Sequence, residues 1–277
     1  MLVATALALG AAVLHAGWNL RVKQSGDRWL ALWGLFTSGG LIAAPFAIAA
    51  TITGHLGPEA WGWAVASGIV HGFYIDRLAA TYEIADFSVT YPIARGAGAL
   101  SAAIGGIIFL SDDLSILSMI GIVVVVGGLV LLTGHVTGSH VWPALSVGLL
   151  IGTYTVIDSQ GSRTSTGSAY VTAVFLLLAV VTTSQGLVRR RWPEMRASVP
   201  AMWRQYVLTG TASLVTYWMI MLAVRRAPVG YVTALRESSV VIVALVGTRY
   251  IGEEGMRRRV TAAAVVVLGL VILVAGR

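Results

Sequence analysis

Residues 233–243 read "TALRESSVVIV", and the two charges inside this small, aliphatic run decide how the chain must fold. Arg236 and Glu237 stand side by side with small or aliphatic residues on both flanks. The rest of the chain is no less apolar. Of its 277 residues 57% are hydrophobic and 11% charged, and the mean hydropathy is +0.82. Soluble domains carry about 25% charged residues. So little charge points to an all-α integral membrane protein, in which backbone polar groups are paired within helices. An ionised side chain at the centre of such a helix costs at least ~2.5–3.5 kcal/mol. Arg236 and Glu237 must therefore face the bundle interior or a wet cavity, and must find partners there.

A membrane span needs roughly 20 mostly apolar residues. Ten such runs are expected, at about 2–20, 29–52, 60–80, 85–110, 114–134, 141–161, 168–188, 203–224, 228–250 and 259–275. Turn and charge signals separate them, among them "QSGDR", "SDD", "RRAP" and "GEEGMRRR". The longest connection is 189–202, which leaves no room for a soluble domain. The first run has its positive charges behind it, at Arg21, Lys23 and Arg28, so a retained span fits better than a cleaved signal. A multi-pass protein of the cell (inner) membrane is the expected setting.

The two halves match at one offset. Shifted by 142 positions, residues 85–134 fall on 227–276 without a gap. Ala102 meets Ala244, Gly105 meets Gly247, Gly127 meets Gly269 and Gly134 meets Gly276. The acidic turn "SDD" meets "GEEG", with Asp112 on Glu254. The expected organisation is a repeat at 1–138 and another at 139–277, together one membrane domain. Five helices per repeat is an odd number, so the second repeat enters the membrane from the opposite side. Inverted repeats of this kind are a feature of secondary transporters.

Under the same shift Arg95 falls on Glu237, and both lie near the middle of their spans. Arg95 or Arg236 can pair with Glu237 and merely fix packing, or the charges can line a cavity and bind a charged solute. Two arginines to one glutamate leave a guanidinium for another acceptor, such as a carboxylate. Other polar groups can join the site. His15, Trp18 and Asn19 share a helix face, as do His71 and Tyr74, and Tyr91 lies one turn before Arg95. Tyr154 shares a face with Asp158, which sits near a span end where solvent can reach it; Tyr217 lies in the eighth span. The substrate-binding set is thus Arg95, Arg236, Glu237, Tyr91, Trp18, Asn19, His71, Tyr74, Tyr154 and Tyr217. Glu237, His71 and His15 are the proton-coupling candidates. Pro92 removes one backbone hydrogen bond just before Arg95.

The stretches "LHAGWNLRVKQSGD" (14–27), "YPIARGAGAL" (91–100) and "ALRESSVVIVAL" (234–245) resemble EamA-type proteins of the drug/metabolite transporter superfamily. So does the acidic turn followed by "GIVVVVGGLVLL" (121–132). The resemblance covers the whole chain. It implies ten transmembrane helices in two inverted five-helix repeats, a central cavity, and transport of metabolites, often export. It also implies that the fifth and tenth helices act as scaffold and that both termini lie inside. The first span lacks the mid-span acidic residue of small multidrug transporters, so their proton-coupling site does not carry over.

Charge distribution implies the opposite orientation. Of 19 basic residues, 13 fall on the side reached after odd-numbered spans, and Arg163, Arg225, Arg226 and Arg277 on the other. Arg95 and Arg236 lie within the membrane. The positive-inside rule puts both termini outside. The leading expectation is a secondary transporter, an exporter working by alternating access on a carboxylate-bearing or zwitterionic, amino-acid-like metabolite. A lipid or lipid-linked flippase, a membrane receptor and an intramembrane enzyme using His71 and Asp158 are the competing readings. No G-x-x-x-x-G-K-[ST], H-E-x-x-H or G-x-S-x-G pattern is present. The chain is therefore not expected to be an enzyme or to use a cofactor. Membrane lipid, a small solute and coupling protons are the expected partners. No basic run with interleaved aromatics suggests nucleic acid. The absence of cysteine excludes disulfides and thiolate metal sites.

Overall fold

The structure is a computed structural model and describes residues 1–84, 87–132, 138–166, 169–242 and 256–276. Among these residues all regular structure is helical. The helices are α1 (Leu2–Lys23), α2 (Arg28–Ile52), α3 (Pro58–Ile84), α4 (Phe87–Leu110) and α5 (Ile116–Leu131). They continue with α6 (Gly138–Arg163), α7 (Ala169–Val188), α8 (Trp192–Val224), α9 (Val229–Arg236) and α10 (Met256–Ala275). Ala244, Gly247, Glu254 and Gly134, four of the residues matched by the 142-residue shift, lie outside the described residues.

Among the described residues six helices, or the greater part of them, are long and apolar enough to cross a membrane: α1, α2, α4, α6, α7 and α8. Their outward faces carry large apolar side chains such as Leu41, Phe46, Ile52, Phe109 and Leu149, all exposed. Water would penalise that surface, whereas lipid accepts it, and the protein is membrane-embedded.

Two expectations change. The segment 189–202 is not a long connection, because α8 begins at Trp192 and runs 33 residues. Pro193 in its first turn, Glu194 beside the positive end of the helix dipole, and the Arg191–Glu194 pair at 2.6 Å start the helix early. The ninth segment is not one continuous helix. It stops at Arg236, and Glu237 sits in a turn with bonds spanning three residues, Glu237 N to Ala234 O at 3.1 Å and Val240 N to Glu237 O at 3.0 Å. Helix resumes at Ser238.

Small residues set the packing. At the α4–α6 contact a Cβ on Gly98 would come within 2.6 Å of Ile151, and one on Gly148 within 2.5 Å of Ala97. In lipid, where helix association depends on close van der Waals contact, backbones approach through such positions. The α5–α10 contact works the same way, with Gly121 against Leu273 and Gly269 against Val125. Further pairs are α2 with α7 and α8, α3 with α6 and α7, and α1 with α8 and α9.

The helix ends fall into two groups. At the terminal face Thr5 meets Tyr231 at 2.8 Å, and Ser115 donates to the Gly276 carbonyl at 2.6 Å. There, Asp112 accepts from the Val229 N–H at 2.5 Å and from Arg163 at 3.0 Å. At the opposite, basic face Gln205 donates to Ser25 at 2.7 Å, Arg189 pairs with Asp76 at 2.5 Å, and Arg191 pairs with Asp27.

Candidate functional site

The site is built around the break in α9. Arg95 projects from α4 and meets Glu237 in a two-pronged pair: Nε donates to Oε2 at 2.9 Å and Nη2 to Oε1 at 2.6 Å. Both side chains are buried. The planar guanidinium thus occupies both carboxylate oxygens, the strongest geometry available to this pair.

Arg236 is also buried, 5% exposed, but its Nε has no hydrogen-bond partner. It lies in the last turn of α9, where the helix dipole favours a cation by ~0.3–1 kcal/mol. That is well short of the ~2.5–3.5 kcal/mol cost of an ionised group at mid-membrane. The remainder must come from the cavity that Arg236 lines.

That cavity has a volume of about 140 Å³. Arg95 and Arg236 lie at its inner end, and Arg28, exposed at the start of α2, lies at the basic end. It therefore extends from the middle of the bundle toward the basic face. Of the eleven residues singled out from sequence, ten line it: His15, Trp18, Asn19, His71, Tyr74, Tyr91, Arg95, Tyr154, Tyr217 and Arg236. Glu237 does not. Its carboxylate stands behind Arg95 and acts on the cavity through that guanidinium.

The lining is largely aromatic and internally ordered. His15 meets Trp18 edge-on at 4.5 Å, and Asn19 donates to the Tyr91 hydroxyl at 2.9 Å. His71 stacks on Tyr154 at 3.9 Å and is held by Ser67, with the His71 Nδ1 3.1 Å from its hydroxyl and 3.0 Å from its carbonyl. Tyr74 and Tyr217 present their rings edge-on to His71 at 6.2 and 6.4 Å.

Asp158 corrects the sequence reading. It is fully buried rather than solvated, and accepts from Tyr170 at 2.7 Å and from Tyr217. Tyr170 on α7 lies against it and helps shut out solvent, a contact that position along a span does not reveal. Asp158 does not line the cavity; Tyr217 stands between. This network, with Arg225 donating to the Ser162 and Ser165 carbonyls, packs the terminal side of the bundle.

Sequence reasoning missed Trp29, Phe36, Phe175, Ser213 and Thr216, which also line the cavity. Ser213, Thr216 and Tyr217 share one face of α8 at helical spacing, a signal that was legible. The aromatics carried none, because in an apolar span they read equally as packing.

No known family profile matches the chain, and no curated protein matches it. Solved structures do. One crystal structure, described only as "Crystal structure of protein", superposes with a TM-score of 0.76 over 97% of this chain and 95% of its own, at 17% identity. At that identity the likeness concerns the fold alone.

Proposed function

We propose that the protein is a secondary transporter of the EamA type, moving a small carboxylate-bearing or zwitterionic metabolite by alternating access around the Arg95–Arg236 cavity. Ten transmembrane helices in two inverted five-helix repeats form the framework of this reading. Helix pairing supports it: advancing each label by five turns α3–α6 into α8–α1, α4–α6 into α9–α1 and α2–α8 into α7–α3. The pairs α2–α7 and α5–α10 turn into themselves, as pairs on a twofold axis do.

One observation carries the reading. Arg95 and Glu237, matched by the 142-residue shift, touch each other directly. Equivalent positions of two repeats meet only on the axis relating them, and the cavity adjoins that meeting point. Transporter sites of inverted-repeat folds lie there, beside interrupted helices. The break at Glu237 is such an interruption.

In this reading the basic face is cytoplasmic in the inner membrane, by the charge rule. The cavity then extends toward the side from which an exporter loads. His71 and His15, which line it, are the proton-coupling candidates in contact with solute; Glu237 couples only by releasing Arg95.

The test is a solute panel in proteoliposomes, with and without an imposed pH gradient. Arg236→Ala is expected to abolish flux while eluting as a monodisperse, helical protein. Normal flux through that variant would reject the site.

A further inference from the structure

We infer, resting on the transporter reading, that the cavity selects an aromatic monocarboxylate over a zwitterionic amino acid of the same size. Two buried donors on its lining residues stand without acceptors, Trp18 Nε1 and Arg236 Nε. An indole N–H and a guanidinium N–H can only donate. The other unpartnered buried polar atoms among the described residues are Gln185 Oε1 and Ser239 Oγ, and neither residue lines the cavity. Both unpartnered buried atoms on the lining residues are therefore donors.

Charge points the same way. Among the described residues no Asp or Glu lines the cavity. Glu237 is engaged by Arg95 through both oxygens, so the inner end carries one uncompensated positive charge, on Arg236. Arg28 stands at the exposed mouth and does not set the charge of that end. A carboxylate supplies one negative charge and acceptors for both orphan donors. An α-ammonium would bring three more donors and a second positive charge, and would meet no carboxylate. The body of the ligand follows from the walls. Tyr74, Tyr154, Phe175 and Tyr217 surround a volume of about 140 Å³, which suits a single flat ring on a short acid chain.

The experiment compares three matched compounds by calorimetry on the purified full-length protein: 3-phenylpropionate, phenylalanine and phenethylamine. Phenylpropionate is expected to bind about tenfold tighter than phenylalanine, the scale of a charge-assisted hydrogen bond, with no binding of phenethylamine. Trp18→Phe keeps a ring in place and removes only the N–H; it should weaken phenylpropionate by about tenfold. Arg236→Gln should abolish its binding, and Trp18→Phe still decides the matter if Arg236→Gln fails to fold. Binding of phenylalanine as tight as phenylpropionate, any binding of phenethylamine, no binding of phenylpropionate, or an unchanged affinity in Trp18→Phe overturns the inference. Flux in proteoliposomes is read separately. Amino-acid flux without phenylpropionate binding sinks the selectivity and leaves the transporter. Selective phenylpropionate binding without flux of any solute sinks the transporter and leaves the site.

Discussion

Arg95 and Glu237, 142 positions apart, close a buried two-pronged ion pair at the break in α9, with contacts of 2.9 and 2.6 Å. The attraction between two such charges need not exceed the cost of drying them, so the pair is weak evidence of net stability. Removing one partner is another matter, because the survivor stays buried and uncompensated.

Glu237→Gln and Arg95→Gln should therefore each destabilise the fold by ~3–5 kcal/mol. The double variant, which removes both charges of the pair together, should lie closer to wild type than either single variant. Thermal unfolding in detergent measures this as a double-mutant cycle. Additive losses would mean that the two side chains are not coupled.

Asp112 holds the start of α9 from the α4–α5 turn. Its Oδ2 accepts from the Val229 N–H, one of the donors that a helix start leaves unpaired, and its Oδ1 accepts from Arg163. Asp112→Ala should cost ~0.5–2 kcal/mol for the lost cap. Arg163→Ala should cost less than that, because the Arg163 side chain is 32% exposed and Asp112, at 7%, keeps its bond to the Val229 N–H. Equal effects in a melting experiment would make the ion pair, not the cap, the important contact.

Adjacent glycines on α5 should respond in opposite directions. A Cβ on Gly127 meets nothing within 4 Å, so Gly127→Ala should gain roughly 0.5–1 kcal/mol from helix propensity. A Cβ on Gly128 would fall 2.7 Å from Val266 Cγ2 and 2.8 Å from its backbone nitrogen. Gly128→Ala should cost ~1–3 kcal/mol by forcing α5 and α10 apart. Matched melting temperatures for the two variants would contradict the close α5–α10 contact.

The framework was legible because lipid simplifies the code: long apolar runs and charged breaks place most helices to within a few residues. Two failures have a physical cause. The start of α8 was hidden because Arg196, Ser198 and Arg204 make its first turns too polar to read as a span, although Pro193 and Glu194 announce a helix start. The break at Glu237 was hidden because the residues beyond it are as apolar as those before, so hydropathy does not register a change of backbone turn. The cavity lining was largely recoverable, since polar groups in an apolar span must turn inward. Glu237 followed that rule yet does not line the cavity, because sequence cannot show which of two neighbouring arginines takes the carboxylate.

The natural absence of cysteine makes the two faces addressable one residue at a time. Arg196 is exposed on the early part of α8 at the basic face, Asp113 is exposed at the terminal face, and Asn19 lines the cavity, partly exposed. If the basic face is cytoplasmic, an impermeant maleimide should label Arg196→Cys only from the cytoplasmic side of sealed vesicles and Asp113→Cys only from the other. Asn19→Cys should react from the same side as Arg196→Cys, because the cavity extends toward that face. Labelling of Arg196→Cys from outside would invert the orientation in favour of the family expectation of cytoplasmic termini. Labelling of Asn19→Cys from the Asp113 side alone would mean that the cavity opens through the end packed by Asp158, Tyr170 and Tyr217. Saturation with phenylpropionate should slow the Asn19→Cys reaction and leave both surface positions unchanged, which separates occupancy of the cavity from a general change in accessibility.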